Sequence, residues 1–348
     1  MHKIPGTENK VFWADNLRAF ATISVILLHV SAPILYQYGT IPNRDWWIGN
    51  FVDSSVRFCV PVFLMLSGAL ILPKTYELGV FFRKRISRIF LPFVFWSFIY
   101  ILYNLISKKH GVNLNTVELI QYILIQFRKG ASYHLWYIYM IIGIYLFIPI
   151  ISKWIVNSTK KEISYYIVIW FIVILISLPF LTKIKPEIDL RYFSGFLGYP
   201  ILGFLLATTR FPEKKIKLLS FFLFLTGISI TIIGTYLLTK SNGRFYGGFY
   251  SFLSPNVIVA STGVFLFLKH FNFKNEWFTN LTKFISKYSY GIYLAHVFVL
   301  IHLSKIGISW SFINPLIGIP LTTLLCLIIS SIITFLINRS RYGTYISG

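Results

Sequence analysis

Three side chains near the start of the chain have the types and spacing of a proton-transfer site: Asp15, Arg18 and, eleven positions beyond Arg18, His29. On an α-helix each residue turns by about 100°, so Arg18 and His29 fall within roughly 20° of one another and Asp15 about 40° away, all on one stripe. The rise of about 1.5 Å per residue places His29 roughly 16 Å along the axis from Arg18. A neutral imidazole buried there can act as general base toward a hydroxyl. The alternative is a histidine that only hydrogen-bonds a neighbouring helix.

A second basic group is Arg85 with Arg88 one turn later, and Arg83 close by. Two guanidinium groups at this spacing can hold phosphates bidentately, although arginines beside an apolar run also fit the positive-inside rule. The run Pro61-Val62-Phe63-Leu64-Met65-Leu66-Ser67-Gly68 ends on a glycine that permits close approach of a helix or a ligand. Ser67 joins the arginines as a candidate on the cofactor side, and packing accounts for it equally well. His134 and Trp136, in His134-Leu135-Trp136-Tyr137, can orient an acceptor sugar or anchor a membrane interface. His296 has Tyr293 one turn earlier on its own face, and an ionisable side chain inside an apolar run is a site candidate in itself. His302 falls on a different face and reads as structural. Cys59 and Cys326 are far apart in apolar runs with no metal-ligand spacing, so inert core thiols are expected and no metal.

The elements that must hold these residues are membrane helices. Of the 348 residues 56% are hydrophobic and only 13% charged, and the apolar residues come in runs rather than stripes, leaving no polar face for water. Spans of about 17 to 25 residues fit near 17 to 38, 56 to 72, 89 to 107, 134 to 152, 164 to 181, 192 to 208, 216 to 238, 251 to 268, 288 to 304 and 312 to 337. The reading is an all-α polytopic bundle of about ten transmembrane helices, one membrane domain over residues 1–348 with no appended soluble domain. A signal peptide ending at Val30-Ser31-Ala32 is rejected, because the segment carries Arg18 and His29.

With ten spans both termini share a side, and the cytoplasmic side is expected, since it then holds the larger share of the 33 Lys and Arg residues. The cluster Lys74, Arg83, Lys84, Arg85 and Arg88 supports this. The loop from about 108 to 133, with Lys108, Lys109, Arg128 and Lys129, opposes it unless that loop packs as an amphipathic segment on the outer surface. The formal charge of +22 is spread between apolar runs rather than gathered in a patch, which excludes nucleic acid as a partner. All eleven Asp and Glu residues are expected in loops or at helix ends, which disfavours an ion-coupled transporter.

In order and spacing these elements resemble acyltransferase family 3, the bacterial membrane O-acyltransferases that modify cell-surface glycans. The Arg18 to His29 spacing, the pair Arg85 and Arg88, and the stretches from Val62 to Gly68, His134 to Tyr137 and Ser289 to His296 carry the likeness. The segment from Trp13 to His29 and the stretch around His134 are most similar to the subgroup that O-acetylates enterobacterial common antigen. The resemblance implies transfer of an acyl group, acetyl first among them, from cytoplasmic acyl-CoA to a hydroxyl of a cell-surface or lipid-linked glycan. Arg85, Arg88 and Arg83 would hold the acetyl-CoA phosphates. His29 would serve as base or as transient acyl carrier, with Arg18 and Asp15 fixing geometry and charge. His134, Trp136, His296 and Tyr293 would face the acceptor. The implied location is the bacterial cytoplasmic (inner) membrane, among membrane lipid, and an oligomer is compatible with it. A glycolipid or polysaccharide transporter or flippase is the rival reading.

The orientation is open to a direct check. In a background lacking Cys59 and Cys326, a membrane-impermeant thiol reagent applied to intact cells should modify Asn43→Cys and spare Thr75→Cys. The opposite labelling pattern would invert the topology and, with it, the side from which a donor enters.

Overall fold

The computed structural model describes residues 12–107, 114–178, 195–271, 273 and 275–348, and every regular element among them is helical. The helices are α1 (Phe12–Leu35), α2 (Asn43–Val56), α3 (Cys59–Ile71), α4 (Leu78–Ser107), α5 (Thr116–Lys129), α6 (Trp136–Asn157) and α7 (Lys160–Ile176). They continue as α8 (Gly198–Thr208), α9 (Glu213–Asn242), α10 (Pro255–His270), α11 (Glu276–Lys305), α12 (Pro315–Asn338) and the short α13 (Gly343–Ser347). The ten expected spans correspond to α1, the α2–α3 pair, α4 and α6 through α12. Eight of these helical stretches are long and apolar enough to cross a membrane, α7 having 17 residues and α8 only 11. Lys108 and Lys109, and the facing ends of the spans expected near 164 to 181 and 192 to 208, lie outside the described residues.

Helix ends follow local chemistry. Asn115 with Glu118, and Thr159 with Glu162, form capping boxes at the starts of α5 and α7. Asn275 and Asn314 cap α11 and α12 through their side-chain oxygens. Gly243, at φ +66°, closes α9 in the left-handed region that glycine occupies freely. The end of α8 is held by Lys269 of α10, whose Nζ donates to the carbonyls of Leu206 at 2.8 Å and Ala207 at 2.9 Å. α5 is amphipathic, leaning on α4 through Phe127 against Phe93 and Phe98 while Val117, Ile120 and Leu124 stay exposed.

The helix of the second span starts earlier than expected: the stretch Asn43–Ile71 is helical but for an interruption at Arg57 and Phe58, so most of the expected loop from Tyr38 to Ser54 is helix. Asp53 therefore lies in a helix, fully buried, just before the apolar run expected to start near 56. Its charge is held by Arg57 one turn on, and Ser31 of α1 donates to its other oxygen at 3.4 Å. Asn50 and Ser54 of the same helix are satisfied by the Tyr250 hydroxyl, at 2.6 Å and 3.0 Å. Hydropathy alone misses a helix whose polar residues pair inside the bundle.

α1 lies at the centre, packed against α2, α3, α11 and α12. α3 and α8 approach so closely that a Cβ on Gly68 would meet the Pro200 carbonyl oxygen at 1.9 Å and one on Gly203 the Met65 oxygen at 2.0 Å. Of the two roles open to Gly68, close helix packing is the one observed. Gly227 and Gly263 do the same between α9 and α10. Because the obstructing atoms at Gly68 and Gly203 are backbone, neither site can yield by rotating a side chain. Gly68→Ala and Gly203→Ala should each destabilise the folded protein by about 1 to 3 kcal/mol, read as a lower midpoint of thermal unfolding in detergent. A midpoint unchanged from wild type in both variants would refute the close packing of α3 on α8.

Candidate active site

At one end of α1, Arg18 and Asp15 are joined through a residue that no sequence pattern indicated. Arg18 Nη1 donates to Ser286 Oγ of α11 at 2.9 Å, and Ser286 Oγ donates to Asp15 Oδ1 at 2.6 Å. The direct Arg18–Asp15 approach is 3.6 Å. The three-membered link ties the start of α1 to α11. Arg18 remains about one-third exposed and lines a cavity of about 110 Å³ with Val25, Val60, Phe63, Tyr137, Ser289, Tyr290 and Tyr293.

Further along the same stripe, His29 meets two other histidines brought from separate parts of the chain. His296 of α11 lies 5.2 Å from His29 between ring centroids, and His134, in the 3-10 turn Tyr133–Leu135 that opens α6, lies 5.1 Å from His296. The Nδ1 atoms of the two partners are engaged, His296 with the Tyr293 carbonyl at 2.5 Å and His134 with Ser132 Oγ at 3.0 Å. A carbonyl only accepts, so His296 carries a proton on Nδ1, and its neutral form leaves Nε2 as a lone pair. Nε2 of His134 and of His296 are both buried without a hydrogen-bond partner. Such atoms are costly in an apolar bundle unless something else uses them.

Tyr293, predicted beside His296, has two roles. Its hydroxyl donates to the His134 carbonyl, and its ring packs edge-on against Tyr137, 5.5 Å away. Tyr100 of α4 braces the cluster from behind, donating to the Leu294 carbonyl at 2.8 Å and packing 5.3 Å from His134.

A larger cavity of about 620 Å³ contains His29, His134, Tyr293, Trp136, Arg57 and Cys59, with exposed Tyr36 and Tyr133 at its rim. It shares the side chains of Val25, Val60, Tyr137 and Tyr293 with the Arg18 cavity, so the two are neighbours along α1. A third cavity, of about 480 Å³ beside Lys305 and Trp310, also contains His29 and Tyr133. His29 thus lines two of the three cavities. Cys59 and Cys326 are buried free thiols, and Cys59, itself fully buried in an apolar cluster, is among the residues around the His29 cavity.

The arginines of α4 are not in these cavities. Arg83 and Arg88 are exposed and Arg85 half-buried on the first turns of the helix, at the Arg18 end, where Tyr290 of the Arg18 cavity donates to the Ile89 carbonyl at 2.7 Å. Ser67 is half-buried on α3 next to the close contact with α8 and lines none of the three cavities. His302 packs on Phe298 and Tyr103 away from the cluster, as expected of a structural residue. Ser286, Asp53 and Arg57 were not among the residues singled out by sequence. Asp53 and Arg57 are four residues apart, an ion-pair spacing visible once that segment is known to be helical.

Two comparisons bear on what this arrangement does. The chain is 22% identical over 343 residues, covering 94% of its length and 91% of the relative's, to the Bacillus subtilis (strain 168) protein named "Putative membrane-bound acyltransferase YfiQ". No solved structure gives a significant match. The acyltransferase domain of family 3 matches residues 11–335, and nearly the whole bundle, with its histidine cluster and cavities, lies within that match: the chain belongs to acyltransferase family 3 and is a multi-pass membrane acyltransferase.

Proposed function

We propose that the protein transfers an acyl group, acetyl first among the candidates, from acyl-CoA in the cytoplasm to a hydroxyl of a cell-surface or lipid-linked glycan. The observation that carries this reading is the placing of the Arg18 and His29 cavities as neighbours along α1, sharing four side chains. A donor entering by one and an acceptor by the other would approach the same imidazole from opposite ends of that helix. The location that goes with it is the bacterial inner membrane with both termini cytoplasmic, which puts the Arg18 end inside.

The Arg18 cavity, about 110 Å³, is well below the roughly 300–1,000 Å³ of a pocket that swallows a drug-sized ligand. It suits the narrow arm that carries the thioester toward His29 and leaves the nucleotide outside, where Arg83, Arg85 and Arg88 lie on the first turns of α4 beside Tyr290. His29 takes the acceptor proton as the hydroxyl oxygen forms its bond to the acyl carbon. The carbon–sulfur bond breaks, and the proton passes to the departing thiolate. Arg18, fixed by Asp15 and Ser286, places positive charge where the donor enters, roughly 16 Å along α1 from His29. His134, whose buried Nε2 awaits a partner, orients the acceptor with Trp136 and Tyr293, and His296 supports it from behind through its contacts with His29 and His134. The subgroup acting on enterobacterial common antigen is the nearest pattern for the acceptor.

Two measurements test this. His29→Ala should lower acyl transfer by about 10²- to 10⁴-fold, the usual weight of a positioned general base, with membrane insertion intact because alanine is the easier residue to bury in lipid. Wild-type activity in that variant would remove His29 from the chemistry. For the donor site, Arg85→Lys and Arg88→Lys keep the charge but lose the planar fork. Each should raise the acyl-CoA concentration needed for half-maximal transfer by about tenfold, as expected for a lost charge-assisted hydrogen bond. An unchanged donor curve for both at matched protein level would return the pair to the positive-inside rule.

A further inference from the structure

Arg57 interrupts the second membrane helix and lines the His29 cavity. Its position is fixed from two sides. Asp53, fully buried, takes its Nε and Nη2 edge, and the guanidinium lies 4.2 Å from the centroid of the Tyr250 ring. Asp53 presents nothing to the cavity, because Oδ1 is occupied by Arg57 and Oδ2 by Ser31. A guanidinium carries five N–H donors. Asp53 engages those on Nε and one on Nη2, and Nη1 reaches the Tyr250 carbonyl at the limiting distance of 3.5 Å. Donors remain for an occupant of the cavity. Among the described residues lining that cavity, Arg57 is the one with a formal charge.

The walls around it are aromatic. Trp136 stacks on Phe252, with centroids 5.8 Å apart and planes 23° apart, and Tyr36 and Tyr133 are exposed at the rim. Flat ring faces of this kind pack against the C–H faces of a pyranose, while phenol and indole tips remain free for its hydroxyls.

Resting on the acyltransferase reading of this cavity, we propose that its acceptor is an anionic sugar, with the carboxylate or phosphate held by the free edge of Arg57 and the hydroxyl to be acylated turned toward His29. Planar, bidentate recognition of an oxyanion is what an arginine pinned by a second-line carboxylate is suited to. The anion can belong to the sugar itself, as in a uronic acid, or to a phosphate attached to it.

The test is binding of three soluble sugars to the purified full-length protein in nanodiscs, followed by saturation-transfer NMR: glucose, glucuronate and glucose 1-phosphate. Glucuronate, glucose 1-phosphate or both should bind about tenfold more tightly than glucose, and Arg57→Gln should abolish the difference while Arg57→Lys retains part of it. Gain by glucuronate alone assigns the anion to the sugar, and gain by glucose 1-phosphate alone assigns it to a phosphate. Because Arg57→Gln leaves the Asp53 charge buried and unpaired, which can unfold the bundle, the same titrations are made on Asp53→Asn/Arg57→Gln, where both charges are gone. Equal binding of all three sugars by the wild type, no binding of any of them, or an anion preference that survives in the double variant would overturn the proposal. Binding needs no acyl donor, so this result and the acyl-transfer result can fail separately.

Discussion

A polar side chain in a bundle surrounded by hydrocarbon has no water to fall back on, and one left unpaired costs several kcal/mol. That constraint decides where each polar residue of this chain can stand. Asp15, Ser286 and Arg18 satisfy one another across α1 and α11. Asp53, Arg57 and Ser31 do so across α1 and the interrupted second span. Asn50, Ser54 and Tyr250 join α2 to the segment before α10, and Asn50 reaches the Ile232 carbonyl of α9 at 3.2 Å. These links fix the relative positions of helices whose apolar faces, being as content in lipid as against one another, would not fix themselves. Ten buried side-chain atoms among the described residues lack a partner, and the Nε2 atoms of His134 and His296 are the two among them that belong to neighbouring imidazole rings.

Close backbone contact supplies the rest of the architecture. Gly68 and Gly203 let α3 and the short α8 lie nearly backbone to backbone, and Gly227 and Gly263 do the same for α9 and α10. The Arg18 and His29 cavities form between α1, α3, α6 and α11, where the walls are valines, tyrosines and a tryptophan rather than glycines.

The fold class was legible because runs of apolar residues too long for a soluble core have one physical outcome, and the stripe of Asp15, Arg18 and His29 was legible because all three lie on one helix. What the sequence hid required knowing which helices are neighbours. Ser286 is 271 positions from the carboxylate it serves, and nothing in its own surroundings distinguishes it from other helical serines. His134 and His296 could each be marked as anomalous in an apolar run, yet their meeting with His29 depends on the contact of α6, α11 and α1. The helix around Asp53 was hidden for the opposite reason. The stretch from Asn43 to Val56 is too polar to read as buried helix, and its polar residues are buried only because Ser31, Tyr250 and Arg57 supply partners that hydropathy does not count.

The same partners explain how a cationic residue can face the reacting end of the bundle without being neutralised. Asp53 is wholly buried and Arg57 slightly exposed, with side-chain accessibilities of 0% and 13%. The pair is therefore oriented, its negative member turned into the protein and its positive member toward the cavity. An occupant meets the guanidinium at hydrogen-bond range and the carboxylate only beyond it, and at low dielectric that difference in distance leaves a net attraction for anions. At the other end of α1 the order differs: Arg18, about one-third exposed, is bridged to Asp15 through a serine hydroxyl. Each of the two cavities along α1 thus carries an arginine positioned by a carboxylate. The side chains they share, Val25, Val60, Tyr137 and Tyr293, bring no formal charge. A charged group can be held in either cavity but finds no partner among the side chains between them, so that stretch suits a neutral group rather than an anion.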